Sequence, residues 1–549
     1  MSTPKIVKGG KHHSRKEKRK HHEKSHRKAK ASGSVFVTYL LYFFHLVKDF
    51  LLNLFCKWYW TNQPLCPPLT REENFLTFSA IDLARMIRTK ELSSYKLVES
   101  YINRMNKINP ILNAVVDGPF MEALNEAKSI DTRIENGLVT DDEFRQKPFL
   151  GVPFTTKDST AVNGKLHTLG LLSRKTVRSK EDAECIRLVK EAGGIILATS
   201  NVPEVNKWQE TRNLLIGQTN NPYDVRRTVG GSSGGEAALI ASCAIPFGIG
   251  TDIGGSIRMP AFYCGIFGHK PTVGIVNTRG CTFRTGKEQS TMVVAGPMTR
   301  KACDLLPLMQ ILVGPETSKS LKLSERVDLK KLRYFYIRES GELRCSSVVS
   351  DLQRAMTKVV DHFSEVSDVE PTVATLSNIE YTSKMWRYWM TQEPADFNRL
   401  LGNGVKLNGF MELMKKLIGK GEFTMASIYS LIDEHLPKEN ADKIKELTRK
   451  CDEELTNLLG DDGILFYHSA PIPAPFHFTP LINVYNFSYW SLFNVLHVPC
   501  TQVPLGLNSE GVPLGIQVVA SRNRDKDCLA VAMELERVFD GWVPPFTVV

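Results

Sequence analysis

"FLGVPFTTKD" at residues 149–158, "EDAECIRLVKEAGG" at 181–194 and "GGIILATSN" at 193–201 decide the fold class. The outer two are short apolar runs bounded by polar or glycine residues, the pattern of buried strands, and the middle one reads as a crossover helix closed by Gly193-Gly194. Strand, helix and strand in that order join parallel strands, so the body is α/β with a largely covered sheet. Upstream, "SSYKLVESYINRMNKINP" sets Leu97, Val98, Tyr101, Ile102, Met105 and Ile108 on one helical face, with Ser93 or Ser94 as cap and Pro110 as stop. Residues 320–460 are more helical and more charged, which suits an insertion or cap, before strand-like "GILFYHSAP" and "GVPLGIQVVAS" return to the sheet. There are no internal repeats.

The chain has 549 residues, 42% of them apolar and 23% charged, enough to bury a large core. Its net charge of +11 is concentrated: residues 1–30 hold 12 Lys and Arg against Glu17 and Glu23, leaving +1 for the rest. A near-neutral body excludes a broad electrostatic footprint for nucleic acid, and the tail over 1–34 is expected to be disordered.

"VFVTYLLYFFHLVKDFLLNLFCKWYW" follows at 35–60 and suits lipid. Its uninterrupted apolar part, Val35 to Val47, is shorter than the roughly 20 residues a spanning helix needs and already contains His45. Lys48, Asp49, Asn53 and Lys57 then recur at three- and four-residue spacing from His45, which puts them on one side of a helix. Two arrangements remain open: a spanning signal-anchor with the basic tail on the cytosolic side, or a helix lying in the membrane plane. Burial in the protein's own core and a cleaved signal peptide both fit less well.

Eleven cysteines without C-x-x-C or His/Cys spacing indicate neither a zinc site nor a disulfide framework. The glycosylation-type triplet at Asn486 sits in an aromatic stretch expected to be buried.

Three segments of the body carry chemistry. "VGGSSGGEAALIASCA" (229–244) lacks the lysine of a phosphate loop and matches the nucleophile-elbow pattern in two registers, on Ser232 and on Ser233. An elbow needs a buried strand just upstream, whereas "NNPYDVRRTV" is polar, so an α/β-hydrolase relying on His477 or His497 is disfavoured. "GTDIGGSIRMPA" (250–261) places a serine on backbone stripped of side chains, the requirement for close approach to a ligand. Lys157 ends an otherwise apolar strand. A buried lysine with its pKa driven down from about 10.4 can serve as a base for serine, which is a poor nucleophile without one.

Lys157 in "GVPFTTKD", "GGSSGG" at 230–235 and "GTDIGGSIR" at 250–258 resemble, in order and spacing, the amidase signature family, and within it the branch that hydrolyses fatty acid amides. The likeness runs from about Thr70 to residue 549, taking in "GHKPT" and the closing "CTQVPLGLNSEGVPLGIQVVAS". It implies an amidase-signature fold: a large twisted mixed β-sheet covered by helices, preceded here by a membrane-associated helix. It also implies Ser256 as nucleophile, Ser232 as a bridging serine on a cis peptide bond, and Lys157 as base. The amides of Ile253, Gly254, Gly255 and Ser256 would face the oxyanion, Asn206 would lie near the acyl carbonyl, and Ser233, Asp252 and Arg258 would support the loop by hydrogen bonds. No metal or organic cofactor is implied.

The substrates implied are lipid-like, primary fatty acid amides and N-acylethanolamines, with an amidotransferase-type subunit or an amidase of other small amides as the alternative. The implied placement is on intracellular membranes of endoplasmic-reticulum or lipid-droplet type, with a homodimer by analogy and no nucleic-acid partner. The aromatic stretches "MWRYWM" (385–390) and "NVYNFSYWSLFNVL" (483–496) are read as core, with the lining of an acyl channel as the alternative.

Overall fold

The computed structural model describes residues 32–60, 64–282, 284–288 and 291–549, so the expected basic tail lies, up to residue 31, outside the described residues. Eleven strands form one sheet: β1 (Val115–Asp117), β2 (Pro153–Lys157), β3 (Ile195–Ser200), β4 (Phe247–Asp252), β5 (Phe267–Lys270), β6 (Val294–Thr299), β7 (Arg333–Ile337), β8 (Thr372–Val373), β9 (Gly463–His468), β10 (Cys500–Leu507) and β11 (Pro513–Ala520). Their spatial order is β1-β3-β2-β4-β6-β5-β10-β11-β9-β7-β8.

The opening segments behave as their pattern requires. β2 and β3 pair in parallel, with Lys157 opposite Ser200, across the crossover helix Glu184–Glu191. β4 lies parallel on the other edge of β2, with Thr155 opposite Gly248. β6, β5, β10 and β11 then continue antiparallel, which makes the sheet mixed. Residues 320–460 contain the helices Ser350–Val366, Thr382–Met390, Gly409–Leu417, Met425–Asp433 and Ala441–Leu459, and also β7 and β8, which extend the sheet at one edge.

All five residues of β2 and all six of β4 are buried, so neither face of this part of the sheet meets water. Phe247 packs against Phe149 and Phe154 with ring centroids 5.0 and 5.7 Å apart, and this aromatic cluster ties β2 to β4. Three adjacent parallel strands, β3, β2 and β4, therefore end side by side. In open α/β sheets, ligands bind outside the carboxyl ends of such strands. Lys157 and Asp252 stand at two of those ends.

One local expectation fails. The helix capped by Ser93, whose side chain accepts from the Lys96 amide, runs from Ser94 to Leu112 and passes through Pro110. A proline in the last turn costs a helix only one amide bond, so it does not stop the chain there. Asn113 does: it takes a left-handed conformation with φ 52°, while Asn109 Oδ1 accepts the amides of Ala114 and Val115.

The N-terminal helix spans Ser32–Tyr59, and its portion Tyr39–Tyr59 is long and apolar enough by composition to cross a membrane. His45 and Cys56 are buried against the body, whereas Phe43, Phe44, Phe50, Leu54 and Trp58 are exposed. All eleven cysteines are free, and Asn486 is buried.

Replacing Phe247 with Ala is expected to lower the unfolding free energy by about 3–5 kcal/mol, because the rigid β2–β4 junction cannot collapse around the lost ring. Urea denaturation of the detergent-solubilised protein measures it.

Candidate active site

β2 delivers Lys157 to the site with a fully buried side chain. Its Nζ lies 2.8 Å from Ser232 Oγ and 2.7 Å from Thr251 Oγ1, so the amine sits between two hydroxyls. Burial is the main influence on this amine and pulls its pKa down to about 7, against the upward pull of Cys281, Asp252 and Glu236. Near neutral pH the group can therefore hold or release a proton.

Ser232 follows the cis peptide bond Gly231–Ser232 and precedes the helix Gly234–Ala241. No strand is assigned between residues 219 and 246, so the nucleophile-elbow arrangement is absent. Neither His477, 3.0 Å from the Val225 carbonyl, nor His497 lines the cavity that holds the serines.

β4 runs directly into the glycine stretch, where Asp252 organises the backbone. The amides of Gly255 and Ile257 donate to Asp252 Oδ1 and Oδ2 at 2.7 and 3.1 Å. Arg258 Nε and Nη2 also reach the carboxylate, at 3.1 and 3.2 Å, and Asn494 Nδ2 donates at 2.9 Å. The guanidinium then anchors outward, from Nη1 to the Trp490 carbonyl and Gln517 Oε1 and from Nη2 to Asn494 Oδ1. Asp252 and Arg258 are both wholly buried, and the guanidinium beside it holds the Asp252 carboxyl well below the usual carboxylate range although burial alone pushes the other way. Ser233 ties the two serine segments together: its amide donates to the Ser256 carbonyl at 3.1 Å.

This network corrects the expected oxyanion set. The Gly255 amide is engaged by Asp252, so among the expected four only those of Ile253, Gly254 and Ser256 are left without a described acceptor. The glycines themselves are explained by their neighbours. A Cβ on Gly254 would stand 2.8 Å from Trp386 Nε1, and one on Gly255, where φ is +116°, would stand 2.4 Å from Trp490 Cβ. Trp386 Nε1 also donates to the Ile253 carbonyl at 2.9 Å, which turns that peptide's N–H the other way.

Ser256 is 8% exposed and opens into a cavity of about 210 Å³, whose wall includes Ser232, Thr251, Asp252, Ile253 and Gly254. Among the described residues there is no hydrogen bond between Ser232 and Ser256; the Lys157–Ser232 contact is the closed half of the expected relay.

The cavity extends past Trp386, Met390, Phe397, Tyr429, Leu436, Val484, Tyr485 and Phe487. Both aromatic stretches are thus divided between core and cavity. Met385, Tyr489, Trp490 and Phe493 are core, and residues of the same segments face the void.

Asn206 also lines the cavity, in a left-handed conformation with φ 62°. Its Nδ2 donates to Ser159 Oγ and Thr282 Oγ1, both at 2.8 Å, and its buried Oδ1 has no partner. In this arrangement the amide's Oδ1, an acceptor, is the atom left to face the cavity.

Sequence reasoning missed Thr251, the second partner of Lys157, and Glu236, which accepts from Thr155 Oγ1 at 2.8 Å and is pushed up to about 7 by burial. Glu236 left a signal, an acid inside an Ala-rich helix, and Trp386 lies in the aromatic stretch 385–390; Thr251 left none. No group of three His, Cys, Asp or Glu among the described residues is placed to hold a metal ion.

Comparison with known proteins follows the same geometry. The family profile Amidase matches residues 96–529. Fatty-acid amide hydrolase 2-A of Danio rerio is 40% identical over 489 residues, covering 87% of this chain and 91% of that protein. Fatty-acid amide hydrolase 2 of Homo sapiens is 38% identical over 497 residues, covering 88% and 92%. A solved structure titled "Fatty acid amide hydrolase" superposes with a TM-score of 0.70 at 21% identity, over 87% of this chain and 88% of that one, a likeness of fold.

Asp252→Asn is expected to destabilise the protein by about 3–5 kcal/mol, because it leaves the Arg258 guanidinium buried without a counter-charge. Comparing denaturation midpoints of the two proteins checks this.

Proposed function

The chain belongs to the amidase family and is an amide-hydrolysing enzyme, and on that premise we propose that it hydrolyses fatty acid amides, primary amides and N-acylethanolamines, through an acyl-enzyme on Ser256. The observation that carries the reading is the buried Lys157 amine, 2.8 Å from Ser232, a residue that shares the wall of a largely apolar cavity with Ser256.

In the proposed sequence, neutral Lys157 accepts the Ser232 proton while Ser232 accepts that of Ser256, whose Oγ bonds to the amide carbon. The charge moves to the carbonyl oxygen, opposite the free amides of Ile253, Gly254 and Ser256, in a site where side chains do not intrude. The Lys157 ammonium returns the proton through Ser232 to the amide nitrogen, the C–N bond breaks, and the amine leaves. Water, deprotonated by the same relay, then attacks the acyl ester and releases the fatty acid. Protonating the nitrogen at departure is what an amide requires, since its unprotonated leaving group is poor.

Association with a lipid surface fits the substrate. Besides the N-terminal helix, the helix Gly409–Leu417 exposes Phe410, Met411, Met414 and Leu417, with Ile418 just beyond it. Patches of this kind mark membrane or protein contacts. The in-plane arrangement is favoured for the N-terminal helix. Its contacts with the body extend from His45 to Lys57, about 18 Å of helix at 1.5 Å per residue. A spanning helix would draw those body segments into a hydrocarbon core about 30 Å thick.

Lys157→Ala is expected to lower kcat/KM on oleamide by about 10²–10⁴, the usual contribution of a positioned acid–base group. A fluorophosphonate probe should modify Ser256 and not Ser232; labelling at Ser232, or turnover surviving in Ser256→Ala, overturns the reading. Because protonated Lys157 cannot accept a proton, kcat/KM should fall as pH drops below about 7, the value to which burial brings this amine. Hydrolysis by the isolated chain separates this reading from an amidotransferase subunit, which works with partner subunits.

A further inference from the structure

The N-terminal helix is oriented against expectation for a simple anchor. A helix that only binds lipid turns its polar side to headgroups and water. Here the polar side is turned to the protein. His45 Nε2 lies 3.1 Å from the Leu343 carbonyl oxygen, and His45 Nδ1 lies 3.0 Å from Lys48 Nζ. Lys48 Nζ donates to Asn483 Oδ1 at 2.5 Å, and Asn483 Nδ2 donates to Asp49 Oδ1 at 3.1 Å. Lower on the helix, Lys57 pairs with Glu510 at 2.8 Å and Trp60 stacks on Phe476.

The two body segments gripped near His45 and Lys48 are walls of the catalytic cavity. Leu343 precedes Arg344, and Asn483 precedes Val484 and Tyr485; all three of those following residues line the void. The walls also hold each other, since the Arg344 guanidinium lies 4.0 Å from the Tyr485 ring centroid and Arg344 bonds Glu342 and Ser383. On the other side, Gln209 Nε2 donates to the Val484 carbonyl at 2.7 Å. Phe487 meets Trp386 edge-on at 4.8 Å, and Trp386 donates to the Ile253 carbonyl. A continuous set of contacts therefore runs from the helix, through the 483–487 wall, to the peptide beside Ser256.

We propose that His45, Lys48 and Asp49 are positioning residues for the acyl cavity: they latch the segments Leu343–Arg344 and Asn483–Tyr485 together, so that the helix shapes the site as well as anchoring the protein. Removing the latch loosens the wall that a long acyl chain packs against and leaves the bond-breaking groups in place. This rests on the fatty acyl substrate proposed above.

The test uses the full chain in detergent micelles, where membrane attachment plays no part. Lys48→Met is expected to raise KM for oleamide by about tenfold with kcat held, while butyramide kinetics stay within about twofold, the range of energies carried by coupled contacts of this kind. Lys48→Arg, which keeps a donor for Asn483, should restore oleamide KM. Phe43→Ser with Phe50→Ser, on the exposed face, should lower binding to phosphatidylcholine–phosphatidylserine vesicles and leave micellar kinetics unchanged. An unchanged oleamide KM in Lys48→Met, or equal losses on both amides, overturns the latch. If the unaltered protein hydrolyses neither amide, the substrate reading fails, and amide hydrogen exchange decides the latch. Faster exchange over residues 343–344 and 483–487 in Lys48→Met supports it, and unchanged exchange rejects it.

Discussion

The site depends on keeping one amine dry. Moving Lys157 from its ordinary value to about 7 corresponds to about 5 kcal/mol of discrimination against the charged form. The molecule supplies it by ending a strand that is buried along its whole length at the meeting point of two neighbouring parallel strands. The hydroxyls of Ser232 and Thr251 satisfy the amine without adding charge. A carboxylate in either position would hold the lysine protonated.

Asp252 is the nearby test of that constraint, because a full negative charge there favours protonated Lys157. Arg258 pairs with it. The carboxylate spends its oxygens on Arg258, Asn494 and two backbone amides of its own loop. The same ion pair thus fixes the shape of the glycine loop, while burial outweighs the pull of Asp252 on the amine. Glu236, the other acid near Lys157, is handled differently: burial raises it to about 7. One acid is held charged by a partner and the other is raised by desolvation, and burial of Lys157 outweighs the upward pull of both.

The cavity joins this machinery to the surface. Its walls come from the segments around 344, 386 and 484, and the N-terminal helix presses its polar side onto two of them. Apolar side chains of the helix face outward, as do those of Gly409–Leu417. Exposed apolar surface and contact with the cavity walls thus meet on the N-terminal helix.

Local rules made much of this readable from the chain. The strand–helix–strand unit at 149–201, the apolar face of Ser94–Leu112 and the polar stripe beginning at His45 all follow from periodicity, which acts within a few residues. The glycines of 250–255 announced a close approach, and family spacing singled out Lys157, Ser232 and Ser256, of which the structure sets Lys157 against Ser232 and both serines on one cavity. Tertiary structure alone decided the rest. That Gly255 donates to Asp252, that Thr251 meets Lys157, that Trp386 and Trp490 forbid side chains at Gly254 and Gly255, and that Asn206 meets Ser159 and Thr282 are facts about atoms facing one another. So is the direction in which the stripe of the N-terminal helix points. Spacing along a helix says which residues share a side, but only the packing of distant segments, here Leu343 and Asn483, says what that side meets.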